Sequence, residues 1–370
     1  MEDIIKLAGE LPNDYVREAK ERGVKVIGYA CLATPREIFD AAGLFPYRIR
    51  GMSVTRTEMA DAYLSRFNCG FCRSCLQLAL EGSYDFFDGL VETNGCDHLR
   101  GMFENWQYAH PQDFFHYIRV PHLTNQDSMD WFVEELGLLK DALEKHFDLR
   151  ITDADLESAM QEQREISGKL RLIYESRWGK EVKIGGGEIL ALMALEGSML
   201  PESFSSLLDD IAAGMPARPP LPHRARLMLG GSATDEVELV AELEAMGGVV
   251  VADTFCFGGR IFRLEEPPPG PPLERLAHLY LNNLMCPRMF DDYARRKAFI
   301  DRLIEESRPD GVVLFHNKFC DLHGVENVKL RMDLEKQGVP VLTLEKEYGA
   351  AADIGRLKTR VQAFLERLGK

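Results

Sequence analysis

The chain has 370 residues, 45% of them hydrophobic, which is too long for one compact core and makes two domains the natural expectation. Its formal net charge is −15 and it has no Lys/Arg run, so nucleic acid is not an expected partner. No apolar run reaches the roughly 18–20 residues that span a bilayer, and the opening MEDIIKLAGELPNDYVREAKERG is a charged amphipathic helix without the apolar centre of a signal peptide, so no membrane partner and a cytoplasmic location are expected.

Strand-like apolar runs alternate with helical patterns in both halves. The first half predicts a strand at Val24–Tyr29, a helix at Thr34–Ala42 with Pro35 near its first turn, and a strand at Pro46–Ile49. A helix is expected over Cys75–Leu80, then strands at Phe87–Val91 and His116–Val120. Residues 127–212 lack strand runs and read as helical, and the proline-rich Met215–Pro222 reads as a linker. The second half predicts strands at Ala225–Leu229, Val249–Ala252, Gly311–Phe315 and Pro340–Leu344. Its helices are expected at Thr234–Met246, Glu274–Leu284, Tyr293–Glu306, Val325–Gln337 and Ile354–Leu368. EEPPPGPP at Glu265–Pro272 cannot be regular structure and reads as a surface excursion or lid. Such alternation predicts an α/β fold with doubly wound parallel sheets. The expected division is an N-terminal α/β domain at 1–126, a helical segment and linker at 127–222, and a C-terminal α/β domain at 223–370.

Eight cysteines in a reducing compartment suggest metal ligands, redox groups or core thiols rather than disulfides. Cys31, Cys96 and Cys320 each follow a predicted parallel strand, where open α/β sheets place their ligands. Three thiolates there would hold three irons of a cubane and leave the fourth open; the alternative is three buried core residues. A weak internal repeat links two of them: DGLVETNGCD at Asp88–Asp97 and DGVVLFHNKFCD at Asp310–Asp321 each run from Asp-Gly through a short strand to Asn and Cys-Asp. If the halves are related, Cys96 and Cys320 stand at equivalent strand ends facing one cleft.

Asn68–Cys75, NCGFCRSC, has the C-x2-C-x2-C spacing found in cubane-binding loops. Cys69, Cys72 and Cys75 are therefore candidates for a second cubane, against the reading that Cys75 merely opens a buried helix face and only Cys69 and Cys72 are near the site. Cys256 and Cys286 sit near loop starts and either could line the cleft, although a structural role is the default. GGSATD at Gly230–Asp235 joins a strand to a helix and would cradle a phosphate or carboxylate, or simply cap the helix. GGGE at Gly185–Glu188 is a weaker glycine signal. His98, His316 and His323 flank the Cys-Asp units as candidate proton carriers. No Walker A loop, G-x-G-x-x-G, G-x-S-x-G or H-E-x-x-H occurs, so neither ATP nor NAD is expected to bind this chain.

On these stretches the chain resembles the D-component-like subunits of the 2-hydroxyacyl-CoA dehydratase and class I, ATP-dependent benzoyl-CoA reductase family. The resemblance rests on IGYACLATPREIFDAAGLFPYRIRG, FNCGFCRSCLQLALEGSYDFFDGLVETNGCDHLR, VADTFCFGGRIF, CPRMFDDY, and GVVLFHNKFCDLHG through GVPVLTLEKEY to RLKTRVQAFLE, in family order. It implies two Rossmann- or flavodoxin-like domains with a [4Fe-4S] cluster in the interdomain cleft, its cysteines falling on Cys31, Cys96 and Cys320. It also implies a homologous partner subunit or second copy, a separate dimeric iron–sulfur ATPase that supplies low-potential electrons, and an acyl-CoA substrate. In dehydratases of this kind one electron gives a ketyl radical that expels hydroxyl; in benzoyl-CoA reductases the ring is reduced. The dense run Cys69, Cys72, Cys75 departs from many members. With Cys31, Cys96 and Cys320 it makes six, the number that holds an [8Fe-9S] double cubane in relatives that transfer electrons or reduce small molecules.

Overall fold

The computed structural model describes residues 2–54, 56–262, 265–349 and 354–369. In chain order the first part holds α1 (Glu2–Ala8), α2 (Asp14–Glu21), β1 (Val26–Tyr29), α3 (Glu37–Ala41), β2 (Phe45–Arg48), α4 (Gly70–Leu80), β3 (Gly89–Thr93), α5 (Asp97–Ala109) and β4 (Phe115–Ile118). The middle holds α6 (Gln126–Phe147), α7 (Asp153–Glu175), α8 (Gly186–Glu196) and α9 (Pro201–Gly214). The last part holds β5 (Ala225–Gly231), α10 (Val237–Ala245), β6 (Gly248–Asp253), α11 (Pro272–Asn282), α12 (Tyr293–Ser307), β7 (Gly311–Asn317), α13 (Asp321–Lys336), β8 (Val341–Lys346) and α14 (Ile354–Arg367).

The strands form two parallel sheets, β2-β1-β3-β4 and β6-β5-β7-β8, the doubly wound α/β architecture expected. The orders are the same once β5 is laid on β1. The repeat read in the sequence has a structural basis. Asp88 accepts the Val26 N–H at 2.9 Å and returns its own N–H to the Val26 carbonyl at 2.8 Å. Asp310 does the same with Arg226, at 2.8 and 2.7 Å. Each aspartate therefore fixes the register of the two central strands of its sheet, and each repeat ends in a cysteine that begins a helix, Cys96 before α5 and Cys320 before α13.

Several boundaries differ from expectation. β2 takes in Phe45 as well as Pro46, because it is an edge strand and Pro46 needs no outward ladder donor. α4 begins at Gly70 and not at Cys75, and α13 begins at Asp321 and not at Val325. α10 begins only at Val237, because Asp235 and Glu236 are drawn into contacts with Gly51 and Lys346. α5 was not anticipated, although Leu99, Met102, Phe103 and Trp106 give it a buried stripe at helical spacing.

The main core runs through both sheets by way of α8, which is buried along nearly its whole length. A second core covers one face of the first sheet with α3, α6 and α7, and α11 joins it from the later half of the chain. The loops beyond the carboxyl ends of β1, β3, β6 and β7 thus meet between the two sheets.

A candidate cofactor site lined by seven cysteines

Those loops enclose a cavity of about 130 Å³. A water needs about 10–15 Å³ on this measure, so the space suits a polyatomic group. Cys31, Cys69, Cys72, Cys96, Cys256, Cys286 and Cys320 all border it. The structure thus brings Cys31, Cys96 and Cys320 to one place and adds four sulfurs to them. Cys75 does not border it: fully buried in α4, it lies beside Asp235, Tyr84 and Tyr348.

Three of these cysteines stand at helix starts, Cys69 before α4, Cys96 before α5 and Cys320 before α13. Helix N-termini favour negative charge, and the amide of Leu99 donates to the Cys96 sulfur at 3.4 Å. The Ala33 amide donates to the Cys31 sulfur at 3.5 Å. Burial nonetheless dominates for Cys96, whose thiol is pushed well up, with the Cys69, Cys320 and Cys31 sulfurs adding to the effect. Burial likewise pushes Cys320 up to about 12. A hydrogen bond from Cys72 holds Cys69 low against its own burial, and the same bond raises Cys72. Metal binding here would release the protons that burial holds on these thiols, because it is linked to thiol deprotonation.

Three buried arginines border the same cavity, Arg48, Arg260 and Arg288. Arg48 donates from Nε to the Ala30 carbonyl at 3.2 Å and lies 3.9 Å over the Phe257 ring, while its Nη1 and Nη2 find no protein acceptor. Arg260 donates to the Met285 carbonyl at 3.1 Å and Arg288 to the Pro121 and Val120 carbonyls at 2.7 and 2.9 Å, and each has an unpartnered Nε. Buried cationic donors without acceptors are costly unless an anion sits nearby. An iron–sulfur cluster held by several thiolates is such an anion, so the residues present fit the implied cofactor. Among the described residues no three His, Cys, Asp or Glu side chains are gathered closely enough for a single metal ion. The sulfurs surround a volume rather than a point, as a cluster requires.

A wider passage of about 510 Å³ adjoins this cavity and shares Cys69, Cys96 and Cys320 with it. His98, Arg100, Tyr117, His122 and the exposed Phe290 line it. His98 accepts the Cys69 amide at Nδ1 at 2.7 Å, with Nε2 3.5 Å from Asp321. His323 borders the inner cavity, and burial keeps it well below the usual histidine range and therefore neutral. His316 lies 3.7 Å from Glu345 and borders neither space.

The glycine signals hold no open anion cradle. The Asp235 carboxylate accepts the Gly51 and Met52 amides at 3.1 and 3.2 Å and the Tyr348 hydroxyl at 2.5 Å, tying the two halves together. In GGGE the amides of Gly186 and Gly187 are already taken by the Glu244 carboxylate, at 2.7 and 3.2 Å. Sequence reasoning undervalued Cys256 and Cys286 and passed over all three arginines. The local signal was the apolar setting of Arg48 and Arg260, each within a strand or a run of aromatic residues.

Two four-stranded parallel sheets that meet at a cysteine-lined cavity define a class of α/β protein. Within it, the family described as 2-hydroxyglutaryl-CoA dehydratase, D-component, matches residues 31–368, and the chain belongs to that family. It is 27% identical to the beta subunit of the (R)-phenyllactyl-CoA dehydratase of Clostridium sporogenes, over 97% of this chain and 96% of that one. It is 26% identical to a subunit of the benzoyl-CoA reductase of Thauera aromatica, over 87% and 85%. It is 21% identical to the beta subunit of (R)-2-hydroxyglutaryl-CoA dehydratase of Acidaminococcus fermentans, over 96% of each chain. Among the described residues no helix is long and apolar enough to cross a membrane.

Proposed function

We propose that the chain is the iron–sulfur subunit of an enzyme that reduces or dehydrates an acyl-CoA thioester, working in the cytoplasm with a homologous partner subunit. Its relatives are subunits of acyl-CoA dehydratases and of a benzoyl-CoA reductase, which supports an enzyme-subunit role. The observation that carries the reading is the convergence on one cavity of seven cysteines and three buried arginines that each keep at least one nitrogen without an acceptor. Cys96 has Cys31, Cys69 and Cys320 as sulfur neighbours; a cubane would be held by Cys96, Cys320 and Cys31, as the family resemblance implies, with its fourth iron open and Cys69 beside it.

When bound, such a cluster supplies low-potential electrons and an open iron for a thioester carbonyl. The electrons would come from a separate ATPase, as this chain has no nucleotide loop of its own. The chain's own residues have definable tasks. Arg48, Arg260 and Arg288 offset negative charge in the cavity. Leu32, Phe71, Phe257, Ile261, Leu284 and Leu322 exclude water from it. The passage beyond Cys69, Cys96 and Cys320 gives a substrate access, with His98 and His122 as proton-carrying groups on its wall.

A second reading is favoured by the number of sulfurs. Cys69, Cys72, Cys256 and Cys286 border the inner cavity beyond the three that a cubane with one open iron takes, which suits an [8Fe-9S] double cubane in electron transfer or small-molecule reduction. Its extra ligands would then include Cys256 or Cys286, with Cys75 outside the set. Iron and sulfide analysis of anaerobically reconstituted protein decides: about four irons per chain supports the single cubane, about eight the double one. An iron-free protein that remains folded would overturn both.

A further inference from the structure

We propose that Glu37 and Tyr280 pass protons between a polar cavity behind α3 and the cysteine-lined cavity, with Asp40 as their proton store. Tyr280, on α11, borders the cysteine cavity. Its hydroxyl donates to Glu37 at 2.5 Å and accepts the Arg36 amide at 3.1 Å. Glu37 is buried, yet it borders a second, polar cavity of about 270 Å³ on the other side, beside Gln163 and Arg164. The rim of that cavity reaches solvent, since the side chains of Glu157, Arg164 and Glu266 are 46%, 65% and 68% exposed. One tyrosine–glutamate pair thus spans the wall between two spaces.

The charge balance around the pair requires a stored proton. Arg36 contacts Asp40 at 3.2 Å and Glu196 at 2.6 Å, and Glu37 lies beside Asp40. One buried guanidinium therefore faces two carboxylates, with a third, Glu37, beside Asp40, so that ionising all three is costly. The neighbouring cations are already engaged: Arg164 with Glu266, Arg171 with Glu175, and Arg275 with Glu157. Tyr29 of β1 and Glu162 of α7 also face Arg36, and neither adds a positive charge. Burial pushes Asp40 up to about 7, despite Arg36, so its proton is exchangeable near neutrality. Gln163 donates to Glu196 at 3.0 Å, while its own carbonyl oxygen and Asp40 Oδ1 have no protein partner. Both are places where water completes a path.

The transfer balances without electrons. The Tyr280 hydroxyl, which rests on Glu37, turns to the cysteine cavity and its O–H bond breaks as an acceptor there takes the proton, while a proton that has reached Glu37 joins the Tyr280 oxygen. Tyr280 ends neutral, and the Glu37 carboxylate takes a proton from Asp40 or from water in the polar cavity. Glu37 and Tyr280 are positioning residues for proton supply. The acceptor rests on the proposed function, in which reducing or dehydrating an acyl group consumes or returns protons.

Two measurements test this. In the full chain without cofactor, infrared difference spectra should show a protonated-carboxyl band titrating near pH 7, absent in Asp40→Asn and shifted in Tyr280→Phe. Spectra in which neither variant alters such a band overturn the proposal. In the assembled enzyme, Tyr280→Phe and Glu37→Gln should lower kcat at least tenfold with KM unchanged and raise the solvent deuterium isotope effect. Cluster reduction followed by paramagnetic resonance should stay at the wild-type level, and Tyr293→Phe, far from the pair, should behave as wild type. A Tyr280→Phe enzyme within twofold of wild type in kcat also overturns it. If the wild-type assembly turns over no acyl-CoA, the functional reading fails, and the infrared measurement alone decides the proton network.

Discussion

Replacing Arg48 by Met should affect the empty and the loaded protein differently. Arg48 is 2% exposed, and two of its three nitrogens have no acceptor. Each unsatisfied buried donor costs about 1–3 kcal/mol. Against this stand one charge-assisted bond to the Ala30 carbonyl, about 1.5–3 kcal/mol, and the stacking on Phe257, about 2 kcal/mol when desolvated. The terms nearly cancel, so Arg48→Met should change the stability of the cofactor-free chain by no more than about 2 kcal/mol in either direction. With the cluster bound, the guanidinium stabilises each added electron. At roughly 7 Å and an effective dielectric near 20, one unit charge is worth about 2 kcal/mol. Its loss should lower the reduction potential by about 90 mV for a one-electron step. Urea unfolding of the cofactor-free protein and a redox titration of the reconstituted protein check the two halves. A cofactor-free variant destabilised by more than about 4 kcal/mol, with its potential unmoved, would refute the reasoning and make Arg48 a structural residue.

Three further outcomes follow from the same geometry. Cys75→Ala should leave iron content intact and cost about 1 kcal/mol in denaturant unfolding, because a small buried group is lost away from the cavity. Iron loss in that variant would restore Cys75 to the ligand set. Asp235→Ala should cost about 3–5 kcal/mol, since it leaves the Gly51 and Met52 amides and the Tyr348 hydroxyl without the acceptor that joins the two halves; an unchanged unfolding midpoint would show that the clasp is not needed. Titration calorimetry with Mg-ATP should give no heat of binding to the purified chain, and a micromolar site would require an unrecognised phosphate loop.

The strands were legible because both faces of each sheet are covered, leaving compact apolar runs such as Val312–Phe315 between turn residues. Helix starts were less legible. The first turns of α4 and α13 carry cysteine, serine, glycine and histidine, and their pattern serves the cavity more than the core. The cysteines that follow strand ends could be assigned to one crevice from topology alone. Cys256, three residues past β6, is open to the same assignment; Cys286 was not, because α11 crosses to the core of the first sheet before it returns the chain to the cavity. The three arginines were hidden for a related reason. A buried guanidinium with unsatisfied nitrogens becomes visible only when its surroundings are known.

The repeated architecture also explains why the sulfurs are unequally shared. Ile27 pairs with Gly89 in the first sheet as Leu227 pairs with Gly311 in the second, so the position of Cys31 corresponds to Gly231. Gly231 has φ +110°, and a side chain there would put its first carbon 1.9 Å from the Phe315 carbonyl oxygen. The second half therefore has no room for a thiol where the first half has Cys31. Cys256, beyond β6, and Cys286, beyond α11, border the cavity from that half instead. Two similar sheets thus enclose a site without internal symmetry. Cys69, Cys96 and Cys320 border the passage to the surface, and Cys31, Cys72, Cys256 and Cys286 border only the inner cavity. A group bound there would have one face toward incoming substrate and another sealed in the protein, the arrangement needed when electrons arrive by one route and the reacting molecule by another.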